Sequence, residues 1–372
     1  MSTNNNADNG RLLSLDALRG FDMMFIMGFA TIVSLICCLF PNGDGCWLHT
    51  QMSHCDWNGL RHHDTIFPLF LFIAGISFPF SLSKQRANGR TTGQIVFKVV
   101  KRGFILVLLG MVYNGLFSLD FPVRVCSVLG RIGFAWMCAA LLYLFVRNKW
   151  IRAAIAAVIL VGYWLLLRIP APDVPGADPL SMQGNLVGYI DRLITPGRLI
   201  YDNGRFDPEG LLSTLPAIVT AMLGMFTGEW VRNEKVSGGR KTLAMFAVAA
   251  VMALVAILWN KSFPINKMLW SSTFVLAVGA FSLASFALFY YIIDVRGWRK
   301  WCFPFQVIGL NSITIYMAQR IFNFRSISDF FLKGVAGLCP EAWGNLILAI
   351  GYFAVSWLFL YFLYAKKIFL KV

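Results

Sequence analysis

The chain has 372 residues, 58% of them hydrophobic and only 14% charged, with 33 Phe and 12 Trp. That composition excludes a water-soluble globular domain and fits a protein that crosses a bilayer many times. The net charge of +15 would suit a nucleic-acid partner, but Lys and Arg cluster in alternate loops between apolar runs, which is what membrane orientation requires.

In chain order, the polar opening through Asn9 and Gly10 is expected to be a disordered tail, and residues 1–17 are set apart from a membrane domain over 18–372. Ten apolar stretches are long enough to cross ~30 Å of hydrocarbon as helices. They are 18–40, 64–83, 95–117, 126–146, 150–167, 210–231, 242–259, 268–292, 303–321 and 343–364. Helices are expected because lipid offers no partner to an unpaired backbone amide. The first run lacks the short apolar core and small-residue cleavage site of a secretory signal, so it reads as a retained span. Arg11 precedes that span. Lys84, Arg86 and Arg90 follow the second, and Arg147 and Lys149 follow the fourth. Arg232, Lys235, Arg240 and Lys241 follow the sixth; Arg296, Arg299 and Lys300 the eighth; Lys366, Lys367 and Lys371 close the chain. Both termini are therefore predicted to be cytoplasmic, with the loop after the first span on the far side. The loops 169–209, 261–267 and 323–342 share that side. No internal repeat is visible, so the inverted-repeat pattern of many secondary transporters is not evident.

The first far-side loop holds every histidine of the chain: His49, His54, His62 and His63 fall within fifteen residues. Imidazole is the side chain best suited to proton transfer near neutrality. With Cys46, Cys55 and Asp64 the loop also offers zinc-ligand types, but the spacing matches no zinc pattern and no metal is expected. An oxidising compartment would more readily pair Cys46 with Cys55; whether they are bonded is left open. Cys37, Cys38, Cys126 and Cys138 sit in or beside apolar runs and read as packing residues.

Arg19, Asp22, Lys98, Lys101, Arg102 and Arg131 fall within or near the ends of spans. At the bilayer centre each would cost roughly 2.5–3.5 kcal/mol, so they must snorkel, pair or line a wet cavity. Lys98 and Lys101 can snorkel. Arg19 and Arg131, each beside a glycine, point instead to a polar passage through an all-α bundle.

Three early stretches carry a resemblance: Arg11-Leu-Leu-Ser-Leu-Asp16-Ala-Leu-Arg19-Gly-Phe, His54-Cys-Asp-Trp57-Asn58-Gly-Leu, and Asp64-Thr-Ile-Phe-Pro-Leu-Phe-Leu-Phe-Ile-Ala-Gly-Ile-Ser77. They resemble the heparan-α-glucosaminide N-acetyltransferases, whose lysosomal members acetylate terminal glucosamine from cytosolic acetyl-CoA. The likeness continues through Ser127-Val-Leu-Gly-Arg131-Ile-Gly, Gly188-Tyr-Ile-Asp191-Arg, Phe206-Asp207-Pro-Glu209-Gly-Leu-Leu and Ile265-Asn266-Lys267-Met-Leu-Trp270-Ser, so it spans residues 11 to about 320. No single motif is decisive; their order and spacing make the assignment. The resemblance implies a transmembrane acyltransferase with acetyl-CoA as donor and an amino sugar or glycan as acceptor on the opposite face. His54, three residues before Trp57-Asn58-Gly, occupies the place of the histidine implicated in catalysis. One departure is Gln319, where the lysosomal relatives carry histidine, which puts a second imidazole in doubt.

Acyl transfer from a thioester needs a base and donors for the developing oxyanion. His54 would serve as base or as acetyl carrier, Asn58 as an amide donor, and Asp64 as the group that orients an imidazole or holds an ammonium. Asp64 also fits a plain helix start. Trp57, Asp207, Glu209, Asn266 and Trp270 are candidate acceptor contacts; interfacial anchoring, helix-start acidity and loop packing are their plainer readings. Asp16, Arg19, Lys101, Arg102 and Arg131 are candidates for the donor path, with Asp16 and Arg19 also spaced for a simple ion pair. A glycan or lipid transporter and a metal- or pH-responsive sensor are the competing classes. The expected setting is a bacterial-type cytoplasmic membrane with the histidine loop outside, and a homodimer is compatible with the sequence.

Overall fold

The computed structural model describes residues 12–118, 122–195 and 197–370. The polar tail, Arg11 and Lys371 lie outside the described residues. The described chain is helical with no strand, and its only extended pairings are two isolated bridges, Pro170 with Asn185 and Tyr201 with Phe206. Among the described residues, eight helices are long and apolar enough to span a bilayer.

The first is Leu13–Cys38, made of α1 (Leu13–Met24) and α2 (Ala30–Cys38) joined by a π-helical turn over Phe25–Phe29. Gly28 bends it by taking φ +116, a value L side chains rarely adopt. A short α3 (Trp47–Gln51) leads to α4 (His62–Ala87), α5 (Thr92–Tyr113), α6 (Val128–Phe145) and α7 (Lys149–Leu166). After α8 (Leu186–Ile194) come α9 (Thr214–Val231), α10 (Gly238–Trp259) and α11 (Ser272–Phe289), the last extended by a π turn to Val295. The chain ends with α12 (Phe303–Leu310), α13 (Ser312–Ile321), α14 (Phe324–Gly337) and α15 (Glu341–Ala365).

Three departures from the predicted spans have physical reasons. The α5 helix has spanning length but carries Lys98, Lys101 and Arg102. The stretch 303–321 is two helices, broken at Asn311, whose backbone leaves helical geometry at φ −124, ψ 29 while its side-chain amide donates to Ile368 O at 3.1 Å. The loops 323–342 and 169–209 contain helices, α14 and α8.

Helices start where polar side chains cap them. Ser127 Oγ accepts from Gly130 N–H (2.9 Å), Asn185 Oδ1 from Gly188 N–H (2.7 Å), and Ser271 Oγ from Phe274 N–H (3.2 Å). At the centre α4 and α9 run side by side in the same direction at close quarters. A Cβ at Gly75 would fall 2.2 Å from Ala221 O, and one at Gly224 2.1 Å from Phe72 O. Both helices bury apolar side chains around most of their circumference, so they form the interior of the bundle. The α7, α10 and α15 helices bury far less and present Val158, Val251, Leu258 and Leu358 outward, as lipid-facing helices do.

Candidate active site

Asp64 organises the histidine loop. It is the third residue of α4 and is fully buried, at 0% exposure. Its Oδ2 accepts the backbone N–H of Arg61 (3.2 Å), closing the helix start, and that of Cys55 (3.1 Å), fixing the preceding loop. Its Oδ1 lies 2.8 Å from His54 Nδ1 and 3.2 Å from Lys267 Nζ. The helix-start role and the imidazole-orienting role therefore coexist, one on each oxygen. Lys267 Nζ is also 2.9 Å from His54 Nδ1. The His54 side chain is 51% exposed, and among the described residues its Nε2 makes no hydrogen bond. Arg61 supports the loop by donating to Ser53 Oγ and to His54 O.

A tight turn from the α10–α11 connection brings Lys267 there. Asn266, itself buried, donates from Nδ2 to Asn58 Oδ1 (3.1 Å) and accepts Leu269 N–H on Oδ1 (2.8 Å). Trp270 is fully buried, between Phe67 and Phe274, and the Arg131 guanidinium lies 4.9 Å from its ring. Two expected acceptor contacts thus sit inside the scaffold, and the residue between them reaches the imidazole. Trp57 is half-buried and donates from Nε1 to Leu180 O at 2.9 Å, tying the histidine loop to the long loop 169–209.

Asp207 and Glu209 meet a partner the sequence reading passed over. Arg124 donates from Nε and Nη2 to the two Asp207 oxygens, each at 2.7 Å, and from Nη2 to Glu209 as well. Burial works against this guanidinium's charge, yet the two carboxylates outweigh it and raise its pKa. Burial raises the Glu209 carboxyl, with Arg131 and Arg124 opposing. Asp207 is wholly enclosed; Glu209 lines a cavity of about 210 Å³ with Arg124, Asn114, Tyr113 and Tyr316.

That cavity is one of three that abut. Along the other half of α4, from Ser77 to its end, a cavity of about 760 Å³ is lined by Asp16, Arg19, Lys84, Asn88, Arg102 and Arg232. It shares Arg19, Ser77 and Arg102 with a narrower chamber of about 270 Å³. The chamber in turn shares Val128, Leu129 and Tyr316 with the cavity at Glu209. Its α4 wall is the stripe Ser77, Ala74, Phe70 and Phe67, spaced three and four apart on one helix face. The next position on that face is His63, whose ring centroid is 4.5 Å from that of His54.

Of the expected donor residues, Asp16, Arg19 and Arg102 line this passage. The Arg102 guanidinium stacks 4.5 Å over Trp136 with Nε unpartnered. Lys101 is exposed and off the wall. Arg131 is buried behind it, donating to Gly210 O and Ser213 Oγ. Lys84 and Arg232 belong to the mouth as well; in the sequence they are orientation signals only, since they come from different helices, α4 and the end of α9. The Cys46 thiol accepts His49 N–H, while Cys55 donates to Asn58 O; all eight cysteines are free thiols. No group of three or more His, Cys, Asp or Glu placed to hold a metal occurs among the described residues.

Residues 11–265 match the family model described as heparan-alpha-glucosaminide N-acetyltransferase, catalytic. Among curated proteins, the heparan-alpha-glucosaminide N-acetyltransferase of Homo sapiens is 27% identical over 419 aligned positions, covering 97% of this chain and 60% of the human protein. The Mus musculus protein of the same name is 27% identical over 428 positions with the same coverage. The chain thus spans about three-fifths of the length of the curated relatives it matches.

Proposed function

Because the chain belongs to the heparan-alpha-glucosaminide N-acetyltransferase family, we propose that it transfers an acetyl group through the membrane, from cytoplasmic acetyl-CoA to an amino sugar or glycan on the far side. The observation that carries this reading is the series of cavities. It begins at a mouth with four basic side chains, narrows to a largely apolar chamber, and approaches the His54–His63 pair at the far end of α4. The mouth suits the coenzyme's phosphates, since Arg19, Lys84, Arg102 and Arg232 outnumber one carboxylate, Asp16. The chamber suits a flexible acyl-bearing arm, because Phe67, Phe70, Leu106, Leu129 and Ile132 exclude water from a thioester.

At the far end His54 presents Nε2 to the substrates while Asp64 holds Nδ1. In the tautomer with the proton on Nδ1, which Asp64 favours by accepting that hydrogen bond, Nε2 is free to accept the acceptor's proton or to take the acetyl group itself. Asn58, exposed on the same loop and braced by Asn266, supplies an amide donor for the developing oxyanion. Glu209 is the carboxylate on a cavity wall suited to an ammonium. The histidine loop lies outside the cytoplasm, in a bacterial-type inner membrane.

The test is acetyl transfer by the purified chain in lipid nanodiscs, with labelled acetyl-CoA and glucosamine. Label should appear on the sugar and disappear in His54→Ala. Counterflow of unmodified sugar without any acetylation would replace this reading with transport.

A further inference from the structure

We propose that Lys267 is a positioning residue that holds and returns the Nδ1 proton of His54 during acyl transfer. The inference rests on the reading above that His54 Nε2 reacts. Its ground is a three-way contact: Lys267 Nζ is 2.9 Å from His54 Nδ1 and 3.2 Å from Asp64 Oδ1, the oxygen that is itself 2.8 Å from Nδ1. An ammonium has three donors and no acceptor, whereas a neutral amine keeps a lone pair. Protonated Lys267 therefore donates to Asp64 and competes with Nδ1–H for Oδ1. Neutral Lys267 can accept the Nδ1 proton directly. The state of one amine thus decides which ring nitrogen carries the hydrogen.

The charges facing Lys267 come from every neighbouring element. Asp64 and His63 lie on α4, His54 on its loop, Glu209 before α9, and Arg131 on α6. Burial is the largest influence and lowers the ammonium's pKa; Arg131 pushes the same way while Asp64 and Glu209 oppose, and the net shift is downward. A lysine that exchanges protons near neutrality needs such a setting.

The step balances in both routes. Where His54 is a base, Nε2 takes the proton of the attacking amine as its nitrogen bonds to the acetyl carbon. The imidazolium then passes its Nδ1 proton to Lys267. As the C–S bond breaks, Lys267 returns its proton to Nδ1, and the imidazolium so re-formed gives its Nε2 proton to the departing thiolate. Where Nε2 carries the acetyl group, Nε2 bonds to the acetyl carbon as the C–S bond breaks and the thiolate leaves, and Lys267 takes the Nδ1 proton of the acylimidazolium. It gives the proton back as the acceptor nitrogen displaces imidazole, and the amine's surplus proton passes through water to the thiolate. In both cases an amine and a thioester become an amide and a thiol.

The experiment measures kcat and KM for glucosamine against pH in wild type, Lys267→Arg and Lys267→Met, each first checked for monodisperse behaviour in detergent. Arg keeps the positive charge beside Asp64 but cannot be deprotonated. It should lose about 100-fold in kcat, the low end of a general acid–base contribution, with KM within about threefold of wild type. Met should lose a similar factor and recover part of it with added methylamine, which Arg should not. Wild-type kcat and pH profile in Lys267→Arg would reduce Lys267 to a counter-charge and overturn the proposal. So would aggregation of both variants, which would assign it to the scaffold. Absence of transfer by wild type would instead overturn the reading of the protein as an acetyltransferase.

Discussion

Replacing Arg124 with methionine tests whether the Asp207–Glu209 corner is a strut. The guanidinium makes two 2.7 Å bonds to Asp207, whose exposure is 0%, and a third bond to Glu209. Methionine fills much of the space but leaves two enclosed carboxylates facing each other. Breaking a buried ion pair by removing one partner costs about 3–5 kcal/mol. For a chain this large that is an expected fall in apparent melting temperature of roughly 6–10 °C, taking ~2 °C per kcal/mol. One compensation is available: Glu209, whose carboxyl burial already raises, can take up a proton, so the deficit should shrink as the pH is lowered. Scanning fluorimetry in detergent at pH 5 and pH 7.5 reads both effects. Arg124→Met with Asp207→Asn removes the stranded charge and should regain more than half of the loss. If the single variant melts within 2 °C of wild type, or the double variant shows the plain sum of the two single losses, Arg124 is not the counter-charge and Asp207 is open to another partner.

Asp64→Asn keeps the shape at the start of α4 but cannot stabilise an imidazolium, so kcat for acetyl transfer should fall by about 10²–10⁴-fold; unchanged kcat would separate Asp64 from the chemistry. Ala74→Phe projects a ring into the chamber of about 270 Å³ and should raise the KM for acetyl-CoA at least tenfold without lowering the melting temperature. A wild-type KM would mean the donor takes another path. Asp191 is enclosed, and burial raises its carboxyl to about 6 from an ordinary 3.8. Folding then favours the protonated form, so the stabilising contribution is complete below pH 4 and lost as the pH climbs to 6, on the order of 3 kcal/mol at most. Asp191→Asn should melt higher than wild type at pH 7.5 and match it near pH 4; a lower melting point at both would refute this.

Part of the cavity lining was legible in the sequence, since Arg19 and Arg102 stand out by the cost of charge in lipid. Phe67, Phe70, Ala74 and Ser77 share one helix face by spacing, but which face of an apolar span meets a cavity is set by its neighbours. Asp64 was legible as a residue with two candidate duties, and the structure gives each duty its own oxygen. Contacts made by loops were not legible, since no period governs them. Arg124 finds Asp207 across 83 positions and Lys267 finds His54 across 213. Trp270 and Asn266 have the residue types of acceptor contacts, yet the turn they build aims the residue between them at the imidazole.

A signal did exist for both basic residues. Lys267 sits in the loop 261–267, which the charge pattern is expected to place on the side where orientation disfavours Lys and Arg; Arg124 lies between the third and fourth expected spans, which the same alternation would put on that side, so neither charge is one the expected topology asks for. Such a charge needs another reason, and each has an enclosed carboxylate as its partner: Asp207 for Arg124 and Asp64 for Lys267. In a membrane chain of this kind, the basic residues that break the charge rule are the ones to pair with buried acids first. By the same logic Arg192, another such residue, should depend on Asp173, to which it donates two bonds at 2.7 and 2.8 Å. That pair is partly open to solvent, so Arg192→Met should cost no more than about 1 kcal/mol. A loss as large as that of Arg124→Met would show that burial of the partner is not what sets the cost.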